Sequence, residues 1–101
     1  MRLEPSETEL VGKWELQGGR ITGDAAEKRI SWLVMNSLKR IAFTQGGYEI
    51  LYQDPTDGRY WELTFPTPRG HGTGPQKLSL LTRRAALEKY NLNERQPRQN
   101  G

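Results

Sequence analysis

The sequence predicts an α+β domain: a mostly antiparallel sheet of about four strands, with one long helix packed on one face and a short C-terminal helix. Three observations predict this class. The chain has 101 residues, a length sufficient for one hydrophobic core. It has no cysteine, so this core must be stable without disulfides or thiolate-bound metal. Short alternating segments bounded by glycine and proline are typical of strands, and two other segments carry apolar residues at helical spacing. We therefore expect one domain at residues 9–90, a loose N-terminal segment at 1–8 and a disordered polar tail at 91–101.

The first half of the domain is predicted to contain a strand and then the long helix. Apolar and polar side chains alternate at about residues 10–17, and Gly18 with Gly19 ends this strand. Asp24 is predicted to cap the helix, and Glu27 completes a capping-box-like pattern three residues later. An apolar stripe is expected to pack the helix on the sheet. The stripe consists of Ala26, Ile30, Leu33, Val34, Leu38 and Ile41.

A β-hairpin is the clearest local prediction. The turn sequence DPTDG lies between two strand-like segments at about residues 48–53 and 59–65, and its proline and glycine favour the backbone angles of a tight turn. In the second strand, the residues expected in the core are Trp61, Leu63 and Phe65. Those expected to point the other way are Tyr60, Glu62 and Thr64. RIAFT, at residues 40–44, is either a short strand or the end of the helix.

The C-terminal part is predicted to form a strand at about residues 77–82, after which Thr82 caps a short helix. The preceding segment TPRGHGTGPQK contains three glycines and the chain's single histidine, His71. It lacks the spacing of a phosphate-binding loop and precedes a strand instead of opening a helix. No nucleophile or orienting carboxylate stands at a recognisable spacing from His71. We interpret the segment as an architectural crossover, in which glycine permits unusual backbone angles and proline ends strand pairing.

Composition and charge exclude several classes of site. Without cysteine, and with one histidine, the chain has no cysteine nucleophile, thiolate zinc site or histidine-rich metal cluster, and no cofactor is expected. It has no apolar run of about 18 residues and no signal-like N-terminus, so we expect a cytoplasmic protein that does not bind a membrane. The net charge of +3 comes from residues 69–101, where 7 basic and 2 acidic side chains give +5, against 8 basic and 10 acidic side chains (−2) in residues 1–68.

In their order and spacing, segments from about Glu9 to Tyr90 resemble the immunity protein 27 family of bacterial polymorphic toxin systems. The segments that carry the resemblance are ELVGKWE (Glu9 to Glu15), Asp24 with Arg29, Ile30 and Leu33, Gly47 and Tyr48 with Leu51 and Tyr52, DGRYWELTFP (Asp57 to Pro66), HGTGP (His71 to Pro75) with Leu78, and Lys89 with Tyr90. The resemblance implies a cytosolic antitoxin, encoded beside a toxin gene, that binds the catalytic domain of the toxin and neutralises it by occlusion. It implies no enzymatic activity and leaves the toxin type and the oligomeric state open.

Two surfaces are predicted to contact a partner. The first is the acidic hairpin, which carries a net charge of −3 between residues 45 and 65 and an outward tyrosine. Its candidate residues are Glu49, Asp54, Asp57, Tyr60 and Glu62. Such a surface could steer toward a basic active-site cleft, for example that of a nuclease. The second is a helix ridge at Trp32 and Met35, which lie opposite the apolar stripe where solvent is expected.

Two alternative functions compete with toxin binding. One is a small ligand-binding domain or enzyme that uses a pocket near His71, with Arg69 and Tyr90 as polar contacts. The other is a nucleic-acid-binding module that uses Arg83, Arg84 and the basic tail. The aromatic strands of the hairpin are acidic and would repel phosphates, so no nucleic-acid partner is expected.

Overall fold

The computed structural model describes residues 2–44, 46, 48–66 and 74–92. Within this part of the chain the secondary structure comprises seven strands and two helices. Their bounds are β1 Glu9–Val11, β2 Trp14–Gln17, β3 Arg20–Gly23, α1 Ala25–Asn36, β4 Lys39–Phe43, β5 Ile50–Gln53, β6 Tyr60–Thr64, β7 Lys77–Leu81 and α2 Arg83–Lys89. The predicted α+β class is confirmed.

Five of the strands form one antiparallel sheet in the order β1-β7-β6-β5-β4. The predicted number of about four strands is therefore roughly right. The predicted hairpin is β5–β6, in which Tyr52 lies opposite Trp61. The remaining strands, β2 and β3, pair with each other in a separate two-stranded sheet.

The single strand predicted at residues 10–17 is wrong, because the chain leaves the main sheet after β1. The Gly12 N–H donates to the Gln76 carbonyl at 2.8 Å, and the Asp24 N–H donates to the Lys13 carbonyl at 2.9 Å. These contacts redirect the backbone into the β2–β3 hairpin. Gly18, with φ +56°, and the glycine after it, with φ +80°, end β2 as predicted and form the turn of that hairpin.

Helix α1 begins as predicted and ends earlier than its apolar stripe suggested. The Asp24 side chain accepts a hydrogen bond from the Glu27 N–H at 2.8 Å, which confirms the N-cap. The helix ends at Asn36, so Leu38 and Ile41 lie beyond it. RIAFT is accordingly a strand, β4, and not the helix end.

Both faces of the five-stranded sheet carry a hydrophobic core. The core beneath α1 consists of Ile30, Leu33, Leu38, Tyr52, Trp61, Leu63 and Leu78, with Phe65 packed against it. The core beneath α2 consists of Leu51, Ala86 and Tyr90, with partly buried residues including Ile41 and Tyr60 around it. The prediction of a core on one face alone is wrong, since α2 covers the second face. Its predicted cap is confirmed, because the Ala85 N–H donates to Thr82 Oγ1 at 3.0 Å.

Residues 2–8, part of the segment predicted to be loose, contact the domain through two arginine side chains. The Arg29 guanidinium binds the Glu7 carboxylate at 2.6 Å, and that of Arg59 donates to the carbonyls of Glu4, Pro5 and Glu7 at 3.2–3.4 Å. Arg29 and Arg59 therefore fix the N-terminal segment to α1 and to the start of β6.

Two predicted features fall largely outside the described residues. These are the crossover with Arg69 and His71, and the polar tail from residue 93 onward. In the described part of the tail, the Leu92 N–H donates to the Leu87 carbonyl at 2.9 Å. No helix within residues 2–44, 46, 48–66 and 74–92 is both long and apolar enough to cross a bilayer.

Candidate partner-binding surfaces

The turn of the β5–β6 hairpin uses its two aspartates internally. Asp54 is only 5% exposed, and its carboxylate accepts a hydrogen bond from the Thr56 N–H at 2.9 Å. Asp57 accepts from the Arg59 backbone N–H at 3.0 Å and from its guanidinium at 2.7 Å. Both contacts hold the pKa of Asp57 below its usual value, and the hydrogen bond from the Arg59 backbone N–H has the larger effect. The aspartates therefore fix the turn conformation.

The glutamate in the middle of β6 is buried beneath α2. Glu62 is 8% exposed, and its carboxylate accepts hydrogen bonds from the Tyr90 hydroxyl at 2.8 Å and from the Lys89 ammonium at 2.7 Å. The same ammonium binds Glu49 at 2.9 Å. Both contacts raise the pKa of Lys89, and the contact with Glu62 has the larger effect. Burial, followed by the hydrogen bond to Glu62, raises the pKa of Tyr90. Lys89 therefore binds two of the predicted acidic side chains with its one positive charge.

The acidic hairpin is therefore not the open negative surface that the sequence suggested. Asp54 and Glu62 are buried, and Glu49 and Asp57 each pair with a cation. Sequence reasoning missed this because Lys89, which binds both Glu62 and Glu49, lies 27 and 40 positions away from them along the chain. A partner contact at any of the four remains a prediction.

Tyr60 lines a groove between β6, the end of β7 and the start of α2. The groove has a volume of about 360 Å³, and its lining includes Asp57, Arg59, Tyr60, Leu81 and Arg83. Tyr60 is half-buried, so part of its ring packs on the second core and part faces the groove. Its predicted role as an outward anchor remains a prediction.

The helix ridge is exposed as the sequence indicated. Met35 is 80% exposed and Trp32 is 36% exposed, on the side of α1 away from the buried Ile30 and Leu33. The Asn36 side chain donates to the Trp32 carbonyl at 3.0 Å, at the C-terminal end of the helix. Trp32 and Met35 thus remain available to a partner.

A third surface, the apolar face of the β2–β3 hairpin, was not among the predicted sites. Leu16 and Ile21 lie directly opposite each other in the register and are 71% and 75% exposed. Trp14, on the same face, is 49% exposed, and its ring lies beside Gly23. The alternation of this segment indicated a half-buried strand, and no signal in the sequence distinguished a face buried in the core from an apolar face left in solvent.

A buried carboxylate anchors the hairpin and the crossover to α1. Glu27 accepts hydrogen bonds from the Gln76 N–H at 2.9 Å and from its side-chain amide at 3.0 Å, instead of closing the predicted capping box. Gly12 and Gly23 leave room for this side chain, because a Cβ at either position would collide with Glu27. Glu27 therefore positions the base of the β2–β3 hairpin.

The unpaired surface charge of the described residues is mostly positive. Six exposed cations form no ion pair within residues 2–44, 46, 48–66 and 74–92; they are Arg2, Lys13, Arg20, Lys28, Lys39 and Arg40. Most carboxylates, by contrast, are held by a cation, a helix cap or a turn. This distribution reverses the sign that we expected for a partner-facing surface.

The alternative ligand site was predicted at His71, with Arg69 and Tyr90 as contacts. Arg69 and His71 lie outside the described residues. Tyr90, the third predicted contact of that pocket, is buried and bonded to Glu62. Among the described residues no group of three or more histidine, cysteine, aspartate or glutamate side chains is arranged to hold a metal ion.

Comparison with known proteins gives one match. Residues 16–82 match the family model described as Immunity protein 27; this range runs from the second half of β2 to the end of β7 and includes α1. Searches of curated proteins and of solved structures returned no match.

Proposed function

The chain belongs to the immunity protein 27 family, and from this premise we propose that it binds a cognate toxin domain and neutralises it by occlusion. The observation that carries the proposal is the extent of the match, which covers about two thirds of the chain and most of its secondary structure. An immunity protein of this kind acts as a stoichiometric inhibitor whose folded surface blocks the toxin.

The contacts of the clustered ionisable groups support a role without catalysis. Glu62 is bonded to Tyr90 and Lys89, and Glu27 to Gln76, so these carboxylates join secondary-structure elements. Residues of this kind rigidify a domain. A rigid surface favours tight binding, since less conformational freedom is lost on association.

We propose further that the chain acts in the bacterial cytoplasm as part of a polymorphic toxin system, against a nuclease or another effector domain. The absence of cysteine in the sequence suits a reducing compartment. The toxin is expected to contact an exposed surface, for which Trp32 and Met35 of α1 and the half-buried Tyr60 are candidates. Glu49 and Asp57 could border such a contact, whereas we assign Asp54 and Glu62 to the fold.

Coexpression with the toxin gene adjacent to the gene of this chain tests the proposal. We expect the chain to restore growth and to copurify with the toxin domain. Leu33→Asp places a carboxylate in the core beneath α1 and should abolish both effects, because the variant cannot fold. Growth arrest in the presence of folded, soluble wild-type chain would contradict the proposal.

A further inference from the structure

The β2–β3 hairpin exposes an apolar face that the rest of the described structure leaves uncovered. Its members are Trp14, Leu16 and Ile21, and the last two are more than two thirds exposed. On the opposite face of the same hairpin lie the polar side chains Glu15, Gln17, Arg20 and Thr22. A two-stranded sheet is marginally stable by itself, so an amphipathic hairpin gains stability when its apolar face is covered.

The residues outside the described ranges offer almost no apolar side chain to cover this face. They are Met1, Gln45, Gly47, the segment TPRGHGT at 67–73 and the segment NERQPRQNG at 93–101. Apart from Met1 and two prolines, their side chains are polar, charged or absent. Within this sequence, therefore, no segment outside the described ranges is suited to cover the three apolar residues, and we look to a partner molecule for the cover.

Unpaired cations beside the hairpin indicate the charge of that molecule. Lys13 immediately precedes β2 and Arg20 begins β3, and neither forms an ion pair among the described residues. Two carboxylates lie nearby: Glu15 accepts a hydrogen bond from the Gln17 side chain at 2.9 Å, and Asp24 accepts from the backbone N–H groups of Lys13 and Glu27 at 3.2 and 2.8 Å. Because Arg20 lies on the polar face of the hairpin, a cleft with one apolar wall and with carboxylates on the wall that meets the polar face would complement both features.

A second copy of the chain fits these charges less well. Lys13, Glu15 and Arg20 give the segment at residues 13–23 a net charge of +1, and a symmetric contact would oppose this charge to itself. A nucleic acid would match the cations but not the aliphatic Leu16 and Ile21. The observations favour a protein partner with an acidic rim.

We propose that the apolar face of the β2–β3 hairpin inserts into an apolar cleft of the cognate toxin, with acidic residues of the toxin around Lys13 and Arg20. This inference rests on the proposed function and adds to it the element that docks and the chemistry of the surface it meets. Gly12 and Gly23 at the base of the hairpin, held around Glu27, fix its direction relative to α1. The hairpin is thus presented in one orientation.

The test measures binding of the full chain to the purified, catalytically inactivated toxin domain encoded by the adjacent gene. In the variant Leu16→Ser/Ile21→Ser we expect the Kd to rise at least about a hundredfold, because two buried aliphatic contacts are lost. Phe43→Ser is the matched control, since Phe43 is a similarly exposed apolar residue on the edge strand β4. We expect its Kd to change by less than about threefold. Circular dichroism and thermal melting check that each variant is folded.

A second variant keeps the inference testable if the serine variant does not fold. Lys13→Glu/Arg20→Glu should lower the association rate by about tenfold at low salt and by less at high salt. Lys39→Glu is the control, since it reverses another exposed, unpaired cation on β4. If the double reversal leaves the association rate unchanged or raises it, the proposal that acidic toxin residues surround Lys13 and Arg20 is overturned.

The outcomes separate this inference from the proposed function. If the wild-type chain binds the toxin and Leu16→Ser/Ile21→Ser binds equally well, the hairpin inference is overturned and the proposed function stands. If the folded wild-type chain forms no complex, both fail. A wild-type dimer, seen by sedimentation, that the serine substitutions dissolve without changing toxin affinity would identify a second copy as the occupant and overturn the inference. Wild-type binding to DNA or RNA that the serine substitutions abolish, with toxin affinity unchanged, would likewise overturn it.

Discussion

The Tyr90 hydroxyl donates a hydrogen bond to the Glu62 carboxylate at 2.8 Å, and this contact joins the end of α2 to the middle of the sheet. Both residues are buried. The alternation of β6 predicts that Glu62 points away from the core, but Glu62 is buried beneath α2 against Tyr90 of the second core. The same contact gives the first prediction.

Tyr90→Phe should lower the free energy of unfolding by about 1.5–3 kcal/mol, because a buried hydrogen bond to a charged group is lost while Lys89 still compensates Glu62. Urea unfolding followed by circular dichroism measures the change. Tyr48→Phe is the matched control, since Tyr48 is exposed, and it should change stability by less than about 0.5 kcal/mol. Equal effects of the two substitutions would show that the bond to Glu62 does not stabilise the fold.

Glu7 should contribute acid-sensitive stability. Its hydrogen bond with Arg29 is the main cause that lowers the pKa of Glu7 from 4.5 to about 2 in the folded state. Because the folded pKa lies below the unfolded one, the contribution is complete above pH 4.5 and disappears as the pH falls toward 2. We expect the stability difference between wild type and Glu7→Gln to shrink over that interval. A difference that stays constant across it would contradict the assignment.

Gly12→Ala should destabilise the domain by about 2 kcal/mol, since the new Cβ displaces the Glu27 carboxylate from Gln76. The same substitution in a Glu27→Ala background should cost at least about 1 kcal/mol less, because the displaced group is already gone. Urea unfolding of the four chains gives the coupling. Strictly additive costs would show that Glu27 is not what requires glycine at position 12.

Trp32→Ala/Met35→Ala tests the helix ridge as a toxin contact. If the ridge is part of the interface, the Kd should rise by about tenfold or more, since aromatic anchors carry much of the energy of interfaces. The variant should remain folded, because Met35 is mostly exposed and Trp32 is not part of either core. Phe43→Ala serves as a comparison on β4. Unchanged affinity would remove the ridge from the candidate surfaces.

The elements that the sequence predicted correctly are those specified by neighbouring residues. The DPTDG turn defines β5–β6, and Asp24 and Thr82 cap the two helices with their own side chains. The elements that it missed depend on distant contacts. The break after β1 follows from the hydrogen bond between Gly12 and Gln76, which are 64 positions apart.

The candidate sites show the same limit. The exposure of Met35 could be predicted because it lies on the helix face opposite the apolar stripe. The burial of Glu62 could not, since it depends on Lys89 and Tyr90 arriving from another helix. Alternation also treats Leu16 and Leu63 alike, although the first lies in solvent and the second in the core. Periodicity gives the two faces of a strand but not what covers each of them.

The two helices that cover the main sheet leave Leu16 and Ile21 outside both cores. Replacing these side chains with others should cost the domain little stability, whereas changes at Trp61 or Leu33 disrupt it. A library randomised at Leu16 and Ile21, with the hairpin glycines kept, would therefore yield mostly well-folded members. Substitutions on this face could therefore change which protein the domain binds while both hydrophobic cores stay the same.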